Sequence, residues 1–482
     1  MEGSASKQLP RIIQGGMGVA VSGWPLANAV ARAGQLGVIS GTMIDTVIVR
    51  RLQDGDVGGH VRRAAEHFPI PGVAEEILRR YYKADGRGPE ERYHQLPLYK
   101  QKVTIARERV TIFANFVEVH LAKEGHDGQV GINLLTKVQM PNLASLYGAM
   151  LAGVDYVLMG AGIPREIPGV LDAFVEHRAA RIKFDVEGLG RDEVEYLTFD
   201  PQQHWSAPTS ALVRPKFIAI VSAASLAATL ARKANGTVDG FVIEAAAAGG
   251  HNAPPRGTLR LDEIGQPVYG ERDNVNLEDM RALDKPFWLA GGTGMRAGLE
   301  AALAAGAAGI QVGTMFAYAN ESGIAPDIKQ RVIESVANGT ANIFTDPRAS
   351  PTGYPFKLVQ LPGESDPAAR RTRVCDLGYL RVAARLADGK RVYRCSAEPV
   401  DAYVTKGGDV ADTVGRQCLC NGLTATVGLG QRRDESEEPP IITSGDALVE
   451  LEAFLEGRTS YGAADVIEFL MAGACHEGLH AR

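Results

Sequence analysis

A (β/α)8 barrel is the fold this sequence predicts. Three observations predict it: eight short apolar runs, helical patterns that alternate with them, and glycine-rich turns where several runs end. The runs cover residues 11–17, 35–41, 130–135, 155–159, 216–222, 240–244, 286–291 and 309–314. Segments such as 142–152, 223–234 and 295–305 carry helical periodicity between them. Strands alternating with helices pair in parallel, and runs apolar on both faces belong to a sheet covered on both sides. Eight such units favour a closed barrel over an open sheet. The 482 residues exceed the about 250 of a plain barrel, which leaves room for insertions and an appendage.

Two insertions break the rhythm. Residues 44–127, between the second and third strands, are rich in charge and in helix formers such as those of 73–82, and predict a helical cap. Residues 185–214 place Tyr196, Phe199, His204 and Trp205 among turn formers ahead of the fifth strand. That stretch reads equally as a substrate entrance or a surface excursion. The barrel is expected over 10–356 and a C-terminal extension over 357–482. Within the extension Cys375, Cys395, Cys418 and Cys420 fall among Arg, Gly and Asp, with Cys475 alone near the end. Four thiols suit zinc or an iron–sulfur cluster, yet the familiar two-residue gaps are absent and ordinary buried cysteines fit as well. The metal question stays open on sequence. Residues 371–431 are expected to pack on the barrel or to meet a second subunit, and the acidic 434–438 patch resembles a solvated loop.

Charge and composition exclude several partners. A net charge of −6, with no long run of Lys and Arg, offers no attraction for nucleic acid or an anionic membrane. The first ten residues are polar and lack a secretory apolar core, so the expected compartment is the cytoplasm, where disulfides are uncommon. The weakly apolar stretch 297–319 is built from Ala and Gly and holds Glu300 and Gln311, which fits a barrel helix running into a buried strand better than a membrane span.

Barrel chemistry gathers at the C-terminal ends of strands. The first strand ends in Gln14-Gly15-Gly16-Met17-Gly18, which lacks the bulk to keep a planar ring off the backbone, though glycines there also serve simply to turn the chain. After the seventh and eighth strands come Ala290-Gly291-Gly292-Thr293-Gly294 and Gln311-Val312-Gly313-Thr314. Backbone amides on such turns cradle a phosphate, while the plainer reading is that the glycines join strand to helix. The sixth strand carries Glu244 and then Ala248-Gly249-Gly250-His251-Asn252. An imidazole just past a Gly pair faces the barrel mouth, where it moves protons or orients a substrate. Asn133, at the end of Gly131-Ile132-Asn133, is a ligand-binding or a turn-capping side chain.

In that order these motifs resemble the nitronate monooxygenase family, formerly the 2-nitropropane dioxygenases, over about 10–356, with 345–358 as the last shared segment. The resemblance implies an FMN-binding barrel and relates the chain to flavin-dependent enoyl-acyl-carrier-protein reductases. It implies FMN contacts from Gly16, Met17, Asn133, Glu244, Ala248, Gly249, Gly250, Gly291, Gly292, Gly313 and Thr314, with His251 as the catalytic group. Ser222 is a further FMN-site residue and a departure, since some members have Lys there. A cation near the flavin pyrimidine would then have to come from elsewhere, Lys137 being one source, or be replaced by backbone amides. Another departure is Asn252-Ala253-Pro254-Pro255-Arg256-Gly257, where many members place Arg and Gly directly after the His. The expected function is oxidation of nitronates or nitroalkanes by oxygen, with a small-molecule substrate and a homo-oligomer in view. The rival is an enoyl reductase using NAD(P)H and an acyl thioester, and the third reading a flavin-binding subunit of a biosynthetic complex.

Overall fold

The computed structural model describes residues 8–205, 210–362, 371–434 and 436–472. Eight parallel strands close into a barrel: β1 (Ile12–Gln14), β2 (Leu36–Ser40), β3 (Val130–Leu135), β4 (Tyr156–Gly160), β5 (Lys216–Val221), β6 (Gly240–Glu244), β7 (Phe287–Ala290) and β8 (Gly309–Val312). Each pairs with its sequence neighbours, and β8 returns to β1 with Ile12 opposite Ile310 and Gln14 opposite Val312. All eight expected runs are therefore strands of one barrel. Their ends fall a residue or more inside several of the expected bounds, because the glycines there already belong to the turns.

Alternation along the strands builds two apolar layers. Ile13, Val38, Leu158, Ile218, Val242 and Trp288 pack together inside the barrel. Ile12, Ile39, Val157, Phe217, Phe241 and Phe287 look outward to the helices. Trp288 plugs the N-terminal end, and its indole N–H finds the carbonyl of Pro10 at 2.8 Å, so burying the ring strands no donor.

The expected cap over 44–127 is only partly a cap. Helix Ile105–Ala122 belongs to the outer ring, packed between helices Trp24–Arg32 and Gln139–Leu151. The shorter helices Ile44–Gln53 and Val73–Tyr81 pack on it. Apolar side chains such as Val47, Ile48, Ile77, Phe113 and Phe116 join them, and buried polar pairs are set among these. Arg107 and Asp45 form a buried pair at 2.6 Å, with Tyr99 and Tyr379 donating their hydroxyls to Asp45. Glu118, with no exposure, accepts from the Trp24 amide at 2.8 Å and meets Arg51 at 2.9 Å.

The 185–214 insertion is a surface excursion among its described residues. Strands Ala180–Phe184 and Glu195–Phe199 form an antiparallel hairpin. Trp205 donates to the Tyr147 hydroxyl at 2.8 Å, and Phe199 stacks on His204. Val186–Glu187 pairs with Val382–Arg385, itself hairpinned to Arg391–Arg394, which stitches this insertion to the chain beyond 356.

Beyond β8, Asn342–Asp346 and Phe356–Gln360 form a hairpin, and Phe356 bridges to His251. The last described helix, Ala463–Met471, packs against Trp24–Arg32 and Arg296–Ala304, which is the eighth position of the outer ring. Among the described residues no helix is long and apolar enough to cross a membrane. The stretch 297–319 contributes to Arg296–Ala304, β8 and the short helix Thr314–Ala317.

Candidate active site

A cavity of about 500 Å³ opens at the C-terminal ends of the strands. Gly16, Met17, Asn133, Ser222, Glu244, Ala248, Gly249, Gly250, His251, Gly291, Gly292, Gly313 and Thr314 all line it, so the barrel brings together every site residue read from the sequence. Most of these residues come from the turns that follow the strands, while Asn133 and Glu244 lie on β3 and β6 themselves. At Gly16 a Cβ would lie 2.4 Å from the Asn133 Cβ, so the first turn reaches the end of β3 only because residue 16 has no side chain. Gly291 and Gly292 both hold positive φ, 86° and 72°, a conformation that turns the chain sharply after β7.

Two titratable groups face the cavity from the end of β6. Burial pushes the Glu244 carboxyl up to about 7. Burial likewise drops the His251 imidazole to about 4, so the ring is neutral at ordinary pH. His251 Nε2 lies 2.7 Å from Ser350 Oγ, and Ser350 Oγ lies 2.8 Å from Thr352 Oγ1. The ring packs edge-on against Phe356, centroids 4.9 Å apart. The two-hydroxyl chain can be oriented either way. Ser350 therefore accepts from Nε2 or donates to it, and the ring presents Nδ1 as acceptor or donor accordingly.

A guanidinium reaches Ser222 from the loop after His251. Arg256 lines the cavity, and its Nη2 donates to the main-chain oxygen of Ser222 at 2.7 Å. Lys137 is not among the cavity-lining residues, though its ammonium stands 5.8 Å from the centre of the ring of Tyr354, which does line it. No described residue of 185–214, Trp205 included, lines the cavity.

The chain beyond 356 was not expected to supply site residues, yet Tyr379, Leu380, Leu419, Cys420, Thr443 and Ser444 stand in the cavity wall. Nothing local marks them. They are ordinary residues carried there by a long return of the chain. Cys375, Cys395, Cys418 and Cys420 are free thiols, and among the described residues no three His, Cys, Asp or Glu side chains are grouped to hold a metal. Cys375 is held below the usual thiol range by the Cys395 thiol and by Arg381, whose Nε is 3.3 Å from its sulfur. Cys475 lies outside the described residues.

Fold and cavity define a class: a (β/α)8 barrel with its titratable groups and glycine turns gathered at one mouth. Within that class, residues 179–346 match the nitronate monooxygenase family, the same family the motifs resemble. No curated protein matches the chain significantly. Solved structures similar to it include FabK from Thermotoga maritima, 16% identical over 96% of this chain and 92% of that one, with a TM-score of 0.47. Another is the enoyl reductase domain of MlnA from the macrolactin biosynthesis cluster of Bacillus amyloliquefaciens, 13% identical over 96% and 93%, TM-score 0.49. A third is nitroalkane oxidase from Streptomyces ansochromogenes, 14% identical over 96% and 95%, TM-score 0.44.

Proposed function

We propose that this protein is an FMN-dependent oxidoreductase that oxidises nitronates or related nitroalkanes with molecular oxygen. The observation that carries the proposal is the meeting, in one cavity, of a neutral His251 on a hydroxyl chain with glycine turns from β1, β6, β7 and β8. The family match over 179–346 supports it.

The residues present fit FMN. The amides of Gly292, Gly313 and Thr314 meet no backbone acceptor among the described residues, and a phosphate is the natural acceptor for amides presented from such turns. Gln311 Oε1 lines the cavity, buried and without a partner, and suits a ring N–H of the flavin. Gly15, Gly16 and Met17 leave a flat surface for the ring itself. Bound FMN would supply the two-electron redox centre.

The chain's own groups then have distinct tasks. His251 holds the substrate oxygens by hydrogen bond, or takes and returns a proton at Nδ1 while Ser350 and Thr352 reset Nε2. Arg256 places positive charge at the rim, where a nitronate's oxygens or an electron-rich flavin edge gain from it. Leu380, Leu419 and Leu423 make the outer wall apolar and keep water off the reacting face.

The test is spectroscopic. The purified protein should show an oxidised flavin spectrum and release FMN, not FAD, on denaturation. A nitronate added without oxygen should bleach it, and oxygen should restore it. Rapid bleaching by a reduced nicotinamide, with turnover of an enoyl thioester and none of a nitronate, would move the chain to the reductase reading. Flavin bound with no turnover of either would favour the flavin-binding subunit.

A further inference from the structure

Residues 443–445 run as a strap from the C-terminal region across two of the glycine turns. The Gly250 amide donates to Thr443 Oγ1 at 3.0 Å, the Gly445 amide to Thr314 Oγ1 at 3.1 Å, and the Asp446 amide to the Ala247 carbonyl at 3.0 Å. The approach is as close as backbone allows. A Cβ on Gly249 would stand 2.7 Å from the Gly445 nitrogen, and one on Gly445 would stand 2.9 Å from both the Ala247 oxygen and Thr314 Oγ1. A buried cation pins the far side: Lys357 Nζ meets Asp446 Oδ1 at 2.7 Å, while the Lys357 amide donates to the Gly250 carbonyl at 3.0 Å.

These bonds leave protons to spare. Thr443 and Thr314 each use a lone pair to accept a backbone N–H, and neither hydroxyl has a close acceptor for its own proton among the described residues. Ser444 is buried and lines the cavity, and its hydroxyl faces only other hydroxyls, Thr314 Oγ1 at 3.5 Å and that of Tyr318. Three hydroxyl donors thus gather beside the unpartnered amides of Gly313 and Thr314. Hydroxyls that have no acceptor, or only another hydroxyl, beside open amides suit an anion.

We propose that the strap is a third phosphate-binding element, with the Ser444 and Thr443 hydroxyls donating to the terminal phosphate held by the turns after β7 and β8. It rests on the FMN reading above and adds to it residues from outside the shared motif region. Charge-assisted hydrogen bonds to a phosphate dianion are the strong kind, so losing one should cost about ten-fold in affinity or more.

The experiment titrates flavin-free full-length protein with FMN and with riboflavin, which lacks the phosphate, following flavin fluorescence. Ser444→Ala and Thr443→Val should each weaken FMN about ten-fold or more while leaving riboflavin within about two-fold, and Ser444→Thr, which keeps the hydroxyl, should restore FMN. Thermal melts of each variant establish that it is folded. Equal loss for both ligands, or no loss for either, would overturn the proposal, and so would failure of Ser444→Thr to retain FMN in a folded protein. If the parent binds riboflavin and FMN alike, the strap proposal fails while a flavin site stands. If it binds neither, the functional reading fails first.

Discussion

His251 and Glu244 share one cavity, and burial moves them in opposite directions. Glu244 titrates near 7 when folded against 4.5 unperturbed, so between those values the folded state holds the extra proton and stability falls as pH rises. His251 titrates near 4 when folded against 6.5, so between those values the unfolded state holds the extra proton and stability falls as pH drops. In the flavin-free parent the two slopes offset each other across pH 5 to 6. Melts of Glu244→Gln should therefore show stability rising from about pH 4.5 to 6.5, and melts of His251→Gln should show it falling from about pH 5 to 7. Each change is worth about 3 kcal/mol at most. A flat profile in both variants would mean that water reaches the cavity freely enough to erase the burial. For catalysis, His251→Ala should keep FMN yet lose about 2 to 4 kcal/mol of barrier lowering toward nitronates, measured as kcat/KM per bound flavin. Normal turnover per flavin in that variant would reduce His251 to a packing role against Phe356.

Single elements carry the next scale, and the polar joint between helices Ile44–Gln53 and Ile105–Ala122 is the most exacting of them. Asp45 is charged and buried because Arg107, Tyr99 and Tyr379 together replace its water; burial alone would raise its pKa, and Arg107 with the two phenols holds it below the usual carboxylate range. Arg107→Met should cost about 3 to 5 kcal/mol in denaturant melts, since it strands a buried carboxylate. The double variant with Asp45→Asn should recover much of that loss, and failure to do so would point to the Arg107 stem as the stabilising part. Because Tyr379 also lines the cavity, the single variant should loosen substrate binding as well. The same elements show what a linear sequence discloses. All eight strands were legible as apolar runs, and the glycine turns after β1, β6, β7 and β8 marked the cavity, whereas Ser222, Glu244 and Ala248 entered as site residues only with the family resemblance. Helix Ile105–Ala122 was hidden inside a charged insertion, its ring-facing residues mixed with buried polar ones such as Thr111, Asn115 and Glu118 that blur the apolar stripe. Ser350, Arg256 and the strap were hidden for a different reason. Their roles arise from contacts across long stretches of chain, as between His251 and Ser350, and no spacing encodes those.

For the molecule as a whole, the position of helix Ala463–Met471 decides how many units unfold. It seats Val466 and Leu470 with almost no exposure, and Tyr461 just before it donates to the Met315 carbonyl at 2.7 Å. We propose that barrel and extension form one cooperative unit. Leu470→Ala should then lower the whole transition by about 2 to 5 kcal/mol, with barrel and flavin signals moving together. Two separated transitions would instead support independent domains meeting near residue 356.

The same helix sets an order of events during synthesis. The ring's first helix, Trp24–Arg32, emerges from the ribosome long before Ala463–Met471, the neighbour that covers it. Until then the outer ring keeps an open seam between Trp24–Arg32 and Arg296–Ala304. The three hydroxyls beside the phosphate turns are complete only after residue 444 has been added. Full cofactor capture should therefore wait until the strap has been made and has reached the turns after β7 and β8. Cells short of flavin should accumulate full-length protein with its seam closed and its cofactor absent, in preference to truncated or partly loaded intermediates.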